Sequence, residues 1–195
     1  VQTLAFSPDG TSLAVGTHDR GLRLWSTVTG QPLDVIHSAP VSSVIFGPEG
    51  HLLASAPNKG LLHWTRTSQW KLNRTLGNQE SEDPFPDRIL SLAFHPDGQI
   101  LAAGSGVPSR DGSLSFWNIA EGEQQGVIKA HQDTITGLAF SPDGRRIASS
   151  STDRYIRIHQ IDTKELLDQL EGHTSHVLDV AWSADGETIA SAGAD

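Results

Sequence analysis

The sequence Phe140-Ser141-Pro142-Asp143-Gly144 has four counterparts in the chain, and this repetition decides the fold. The counterparts begin at the aromatic residues Phe6, Phe46, Phe94 and Trp182. The aromatic positions 6, 46, 94, 140 and 182 are therefore 40, 48, 46 and 42 residues apart. A period near forty residues indicates a repeat architecture in which each copy is one supersecondary unit. Such repeats build surfaces, so any chemistry has to be argued separately.

Each copy predicts the same short β-strands. An apolar run leads into the aromatic residue, as in 135–140, and a second apolar run follows the turn, as in 147–150. Pro and Gly favour that turn, because Pro presets φ and Gly accepts positive φ. A third run, as in 22–25 and 156–159, alternates in polarity, which predicts an inward apolar face and outward charged residues.

A fourth, weaker strand is expected at 32–36 and at the corresponding place in each copy. The segment 163–170 has good helix propensity, but the repeat register places it at this fourth position. Propensity is a weak prior, so we predict a strand there. Four short strands per forty-odd residues are typical of one propeller blade.

Composition excludes several classes of function. The 195 residues carry 23 acidic and 14 basic side chains, a formal charge of −9, which argues against a nucleic-acid surface. Cys is absent, so this stretch has no disulfide or zinc–thiolate site. No apolar run approaches the length of a membrane span. The chain lacks Met, begins at Val1 and stops inside a repeat at Asp195, so we expect a piece of a longer protein.

Further landmarks recur at fixed distances from the aromatic residue. A His precedes it by nine positions in three copies, an Asp follows it by thirteen in three copies, and a Trp lies six positions after the Asp site. With these landmarks the whole chain resembles the WD-repeat β-propeller family. The resemblance implies an all-β fold of four-stranded antiparallel blades, present as an open partial propeller of about four and a half blades. We expect one domain, 1–195, with blades at about 1–36, 37–76, 85–128, 131–170 and a truncated 173–195.

In the resembled family, His, Ser or Thr, Asp and Trp form a hydrogen-bonded chain within each blade. Such residues are structural here, because a catalytic Ser/His/Asp set occurs once and this set recurs. Asn58, Phe85 and His159 stand where the pattern has Asp, His and Trp. The predicted structural network comprises Asp19, Trp25, His37, Ser55, Trp64, Asp111, Trp117, His131, Ser149, Asp153, His173, Ser191 and Asp195.

We expect no catalytic residue, no cofactor and no metal in this stretch. His173 and His176 form a His-x-x-His pair, which is half of a metal site when read functionally. The alternative is that His173 fills its place in the blade and His176 precedes a strand. Two ligands without a third favour the second interpretation.

Two insertions around the third blade give the one signal for a partner site. Residues 77–87 lengthen the loop that enters this blade, and residues 104–111 lengthen the loop between its second and third strands. Both loops are expected on one face of the blade, and repeat insertions often mark the binding face. Neutral length change in solvent loops is the alternative. The candidate partner-binding residues are Glu80, Glu82, Asp83, Phe85, Asp87 and Arg110.

These observations favour a non-catalytic scaffold that binds a protein partner. A looser resemblance, over about 101–195, is to the WD-repeat region of planctomycete-type bacterial proteins that carry a c-type cytochrome domain. It implies an extracytoplasmic electron-transfer protein with its haem outside this stretch, since Cys-x-x-Cys-His is absent. Without that resemblance we expect a cytoplasmic protein. Two further hypotheses are an enzyme propeller of quinoprotein or lactonase type, and a regulatory propeller fused to a kinase or NTPase.

Overall fold

The computed structural model describes residues 1–56, 60–66, 70–77 and 88–195, and these residues form eighteen β-strands and no helix. None of them therefore forms a helix that could cross a membrane. The first strands are β1 (Thr3–Phe6), β2 (Ser12–Thr17), β3 (Gly21–Ser26), β4 (Pro32–His37), β5 (Ser43–Phe46), β6 (Leu52–Ala56), β7 (Gly60–Arg66) and β8 (Trp70–Leu76). The others are β9 (Ile89–Phe94), β10 (Ile100–Val107), β11 (Asp111–Asn118), β12 (Gln124–His131), β13 (Ile135–Phe140), β14 (Arg146–Ser151), β15 (Ile156–Gln160), β16 (Leu166–Leu170), β17 (Val177–Trp182) and β18 (Ile189–Gly193).

The strands form four antiparallel four-stranded sheets, each built from four consecutive strands. We call them blade 1 (β1–β4), blade 2 (β5–β8), blade 3 (β9–β12) and blade 4 (β13–β16), and the two-stranded sheet β17–β18 blade 5. The all-β prediction with four-stranded antiparallel blades is confirmed. The segment 163–170 contains β16, so tertiary pairing with β15 overrides its helix propensity.

In blade 4 the aromatic-turn sequence closes the first hairpin through its own side chains and backbone. In blade 4, Ser141 Oγ donates to Asp143 Oδ1 over 2.6 Å, and the Arg145 N–H donates to the same oxygen over 3.1 Å. Gly144 has φ 72°, which a residue with a Cβ adopts only with strain. Its N–H donates to the Ser141 carbonyl over 2.9 Å. The turn is therefore determined locally, which is why it recurs in each blade.

The chain divides into two compact units, Val1–Pro84 and Phe85–Asp195. In the first unit, the apolar face of blade 1 packs on blade 2. Leu22 and Leu24 lie in one cluster with Leu52 and Trp64, all at most 3% exposed. Burying each Leu contributes roughly 1.5–3 kcal/mol. Stacking between these two blades therefore supplies the core of this unit.

In the second unit, β13 packs against β9 on one side and β17 on the other. Leu114 and Phe116 of blade 3 form a cluster with Ile135 and Ile147 of blade 4. A separate cluster joins blade 4 to blade 5 and comprises Ala148, Ile156, Ile158, Val177 and Val180. Blade 4 thus buries both of its apolar faces by stacking on blades 3 and 5.

The expectation of a longer loop at 104–111 is wrong. Strand β10 runs to Val107 and pairs with β11 from Asp111, so the extra residues lengthen a hairpin and leave a turn of three residues. Glycine permits this extension, because a Cβ added at Gly106 would lie only 2.7 Å from the Thr134 Cα and would clash with it. Glycine usually weakens a strand, but here it allows another backbone to approach closely. Of the other insertion, residues 78–87 lie outside the described residues.

Candidate functional site

The landmark residues that the repeat pattern assigns to blade 4 join that blade to the end of β12, the outer strand of blade 3. His131 is the last residue of β12, Ser149 lies in β14, and Asp153 lies in the turn that follows β14. Nδ1 of His131 lies 3.0 Å from Asp153 Oδ2, and Nε2 lies 2.8 Å from Ser149 Oγ. The N–H groups of Gln132 and Tyr155 donate to the Asp153 carboxylate, each over 3.1 Å. The structure thus brings the three predicted residues of this blade together.

Arg157 belongs to the same cluster, although the alternation of β15 predicted an outward-facing side chain. Its Nη1 donates to Asp153 Oδ2 over 2.8 Å and to the Ala130 carbonyl over 3.0 Å. The side chain is 12% exposed, so the outward prediction is wrong for this residue. Burial by itself would raise the pKa of Asp153, but the hydrogen bonds and charges of His131 and Arg157 outweigh it. The pKa of Asp153 is therefore held well below its usual range.

Blade 5 repeats this geometry in a more exposed setting. Nδ1 of His173 lies 2.8 Å from Asp195 Oδ1, and Nε2 lies 2.9 Å from Ser191 Oγ. The Thr174 N–H donates to Asp195 Oδ2 over 2.8 Å. This backbone hydrogen bond and the side-chain hydrogen bond of His173 lower the pKa of Asp195 to about 2. The arrangement is therefore a recurrent feature of the blades.

Blades 1 and 2 place their predicted residues differently. Asp19 lies in an exposed turn with Arg20 Nε 3.7 Å away, and the nearby Trp25 is half-buried. Trp64 is buried, with the His37 ring 5.7 Å from its own. Ser55 Oγ lies 2.8 Å from the hydroxyl of Ser42, and Asn58 lies outside the described residues.

Blade 3 satisfies its tryptophan through a residue that was not predicted from the sequence. Trp117 Nε1 donates to Ser115 Oγ over 3.1 Å, and Ser115 Oγ donates to the Ala103 carbonyl over 3.3 Å. Ser115 lies two residues before the Trp on the same strand face, and that spacing could have revealed it. Asp111 accepts a hydrogen bond from the Val107 N–H over 3.2 Å and so closes the β10–β11 hairpin.

The His, Ser and Asp side chains of blade 4 have the residue types of a hydrolytic triad, but the serine cannot reach a substrate. Ser149 is 0% exposed, and its hydroxyl donates to the Arg157 carbonyl over 3.3 Å. Within the described parts of the chain, no group of three His, Asp or Glu side chains could hold a metal ion. His173 instead contacts Asp195 and Ser191.

Two further histidines are buried in the described blades. His63 of β7 and His159 of β15 are each 3% exposed, and neither Nδ1 has a hydrogen-bond partner among the described residues. Burial lowers the pKa of each ring to about 4, with smaller contributions from nearby basic groups. Both rings are therefore neutral at neutral pH. His63 was not predicted, because its apolar neighbours in the sequence gave no sign that a polar ring is buried there.

Only part of the predicted partner site can be placed. Arg110 is exposed on the turn between β10 and β11, and its backbone N–H donates to the Val107 carbonyl over 3.0 Å. The Ser109 N–H in this turn donates to Asp133 Oδ1 over 3.0 Å, which ties the hairpin to the β12–β13 loop. The other candidates lie outside the described residues: Glu80, Glu82, Asp83, Phe85 and Asp87.

Comparison with known proteins places these blades in a family. The profile of the family described as "WD domain, G-beta repeat" matches residues 1–26, 74–118, 122–160 and 164–195. The chain is 32% identical over 192 residues to Periodic tryptophan protein 2 homolog of Schizosaccharomyces pombe, a match that covers 86% of this chain and 21% of that protein.

Two further relatives have different names. The chain is 30% identical over 176 residues to the Chromatin assembly factor 1 subunit FAS2 homolog of Oryza sativa, covering 82% of this chain and 33% of that protein. It is 25% identical over 200 residues to the SIR4-interacting protein SIF2 of Saccharomyces cerevisiae, covering 97% of this chain and 36% of that protein. The chain spans about a fifth to a third of the length of these relatives. The four-stranded blades, their recurrent His–Ser–Asp geometry and the profile matches show that the chain belongs to the WD40 repeat family.

Proposed function

We propose that this chain is a non-catalytic protein-interaction scaffold. One observation carries the proposal: the His–Ser–Asp arrangement that resembles a catalytic triad occurs twice, in blades 4 and 5, with matching contacts. In blade 4 a catalytic set would also need an accessible nucleophile, and Ser149 is fully buried, whereas Ser191 of blade 5 is exposed. The predicted network residues then serve to hold the turns and strands of their blades together, and the surface of the blades remains for binding.

The names of two relatives support a protein as the partner. One relative is called SIR4-interacting and another is called a subunit of chromatin assembly factor 1, so each is named for an association with other proteins. The formal charge of −9 supports the absence of direct nucleic-acid binding by this stretch. Activity, partners and compartment of the whole protein are further proposals, because the chain covers a minor part of each relative.

We place one partner contact at the third blade, on the β10–β11 turn and in the segment 77–87. Arg110 is exposed at the tip of a hairpin that extends beyond the hairpin of blade 4, which supports a contact role. A partner that pairs with Arg110 would present a carboxylate or a carbonyl group. The remaining candidates, Glu80, Glu82, Asp83, Phe85 and Asp87, would add acidic and aromatic contacts.

The experiment compares Arg110→Glu with Arg20→Glu. Arg20 is the matched control, because it is an exposed arginine in the corresponding turn of blade 1. Partners of the wild-type protein are first identified by cross-linking and mass spectrometry, and their capture by each variant is then measured. We expect Arg110→Glu to weaken capture at least about tenfold and Arg20→Glu to leave it unchanged. Equal capture by both variants, with folding intact, would remove this turn from the interface.

The competing functions have less support. The relatives named above are eukaryotic, and none of their names mentions a haem or a cytochrome. The resemblance to bacterial cytochrome-linked proteins, and the extracytoplasmic location that it implies, therefore stay predictions without support from the comparisons. An enzyme propeller would need unique polar residues around a site, and such a set did not emerge from the described blades. That 1–195 forms one open partial propeller domain also remains our proposal.

A further inference from the structure

At one junction between neighbouring blades, a basic side chain closes the space between the two aromatic turns. Between blades 3 and 4, the ring of His95 packs against the ring of Phe140 with centroids 5.2 Å apart. Nε2 of His95 lies 2.9 Å from the Gly144 carbonyl oxygen. The basic side chain comes from the turn of blade 3, and the aromatic ring and carbonyl come from the turn of blade 4.

The junction between blades 4 and 5 is closed in the same way by an arginine. Cζ of Arg146 lies 4.6 Å from the centroid of the Trp182 ring. Nη2 of Arg146 donates to the Gly186 carbonyl over 3.2 Å. Trp182 and Gly186 occupy the same places in their turn as Phe140 and Gly144 in theirs. Two junctions thus show one solution, a basic group that stacks on the aromatic residue and contacts the glycine carbonyl.

The junction between blades 1 and 2 has the acceptor half of this arrangement, but neither corresponding position carries a basic residue. Phe46 and Gly50 stand at the aromatic and glycine positions of blade 2. The positions of blade 1 that correspond to His95 and Arg146 are Ser7 and Ser12, whose side chains are short. A cleft of about 480 Å³, lined by all four residues, lies at this junction.

The walls of the cleft suit a cation. The rings of Phe46 and Trp70 lie 6.3 Å apart and tilted by 59°, and Pro8 and Pro48 add apolar surface. Two carboxylates also line the cleft. Asp9 Oδ1 accepts hydrogen bonds from the Ser7 and Thr11 side chains, and Glu49 Oε2 lies 3.2 Å from His51 Nε2, so both belong to local networks at the rim. An aromatic face attracts a guanidinium, and nearby carboxylates add to that attraction.

We propose that the cleft between blades 1 and 2 binds an arginine side chain of a partner protein. The guanidinium would stack on Phe46 or Trp70 and donate to the Gly50 carbonyl, as Arg146 does with Trp182 and Gly186. Arginine fits better than lysine, because its planar group stacks and donates at the same time. The volume also leaves room for residues that flank the arginine. The inference rests on the proposed interaction function and assigns that function a second, separate site.

The experiment measures binding of a defined probe. The peptide acetyl-Gly-Arg-Gly-amide is titrated into the protein, and the Trp70 indole and Gly50 amide signals are followed by NMR. The same peptide with citrulline in place of arginine is the neutral control, since it keeps the shape and loses the charge. We expect saturable shifts at both signals and citrulline binding about tenfold weaker. Equal binding of the two peptides, or no shift at Trp70, would overturn the proposal.

Two variants of blade 1 sharpen the experiment. Ser12→Arg copies blade 4, where Ser141 to Arg146 form the same turn, and should close the cleft from inside and abolish binding of the probe. Thr11→Arg adds the same charge at the neighbouring exposed position, where blade 4 has Arg145, and should retain binding. Full binding by Ser12→Arg would contradict the proposal.

If Ser12→Arg fails to fold, Ser7→His provides the same comparison. It copies blade 3, where His95 occupies this turn position and contacts Asp97 over 2.8 Å. We expect it to abolish probe binding, and retained binding would overturn the proposal. The measurement is independent of the Arg110 experiment. Failure here with loss of capture in Arg110→Glu removes only the arginine site, whereas failure of both removes both proposed contact sites.

Discussion

Replacing Asp153 by Ala should destabilise the protein far more than the same change at Asp195. The two carboxylates hold the equivalent place in blades 4 and 5 and both contact a histidine. Their surroundings differ: the side chains of Asp153 and His131 are 9% and 0% exposed, whereas those of Asp195 and His173 are 26% and 24% exposed. Asp153 also has an arginine beside it, with Arg157 Nη1 at 2.8 Å.

The magnitude follows from what the substitution leaves behind. Without Asp153, the buried groups of His131 and Arg157 lose their acceptor, and so do the N–H groups of Gln132 and Tyr155. Removing one partner of a buried ion pair typically costs about 3–5 kcal/mol. In the 195-residue chain, where Asp195 is the last residue, the groups around it can turn to water, so Asp195→Ala should cost clearly less.

The assay is equilibrium unfolding in urea at pH 7, with the free energy taken from the transition midpoint at constant slope. Amide hydrogen exchange provides a local readout, because the Gln132 and Tyr155 amides should lose protection in Asp153→Ala and keep it in Asp195→Ala. Asp153→Asn keeps an acceptor and loses the charge, so it should lie between the wild type and Asp153→Ala. Equal destabilisation by the two alanine variants would refute the reasoning, since burial and the arginine would then be irrelevant.

Three further predictions concern stability. His63 and His159 have pKa values of about 4 in the folded protein, below the unfolded value of 6.5. Their contribution to the free energy of unfolding is therefore present above pH 6.5 and is lost as the pH falls towards 4. The free energy of unfolding should drop by up to about 3 kcal/mol for each ring in that window, and His159→Phe should flatten the profile measured by urea unfolding. Gly106→Ala should cost about 1–3 kcal/mol in thermal unfolding, because the new Cβ would meet the Thr134 backbone at 2.7 Å; an unchanged midpoint would count against the observed close approach. Leu114→Ala, at a fully buried position, should lower the free energy of unfolding by about 2–5 kcal/mol. Leu166→Ala, at a position 51% exposed, should change it by less than about 0.5 kcal/mol. Similar losses in the two variants would contradict the assigned core.

The strand order could be predicted from the sequence because each turn is determined by a few adjacent residues. Ser141, Asp143 and Gly144 close their hairpin among themselves, so the pattern survives in every copy. Once the hairpins are placed, the alternation of apolar residues determines which faces stack. The segment 163–170 was assigned correctly for the same reason, because the register of the repeat carried more information than its own propensity.

The sequence pattern misleads where contacts outside the local repeat pattern decide the outcome. Glycines at 104 and 106 suggested a loop, but they lie in strands because Ile135 and Thr134 approach their backbone closely. The charge of Arg157 favours an outward side chain. Two acceptors hold it inside instead: the Asp153 carboxylate in the turn before β15, and the Ala130 carbonyl, which is distant in the sequence. The residue pattern within one repeat contains no information on such contacts.

Blade 4 shows why the number of intact landmarks understates the stability of a blade. His159 stands in place of the tryptophan, and its buried Nδ1 has no partner among the described residues, which costs about 1–3 kcal/mol. In the same blade, Arg157 adds a charge-assisted bond to Asp153, and the His131–Asp153–Ser149 contacts remain complete. The histidine–aspartate part of the arrangement therefore does not depend on the tryptophan. Blade 4 thus loses one landmark and offsets the loss with Arg157, a residue that the repeat pattern does not specify.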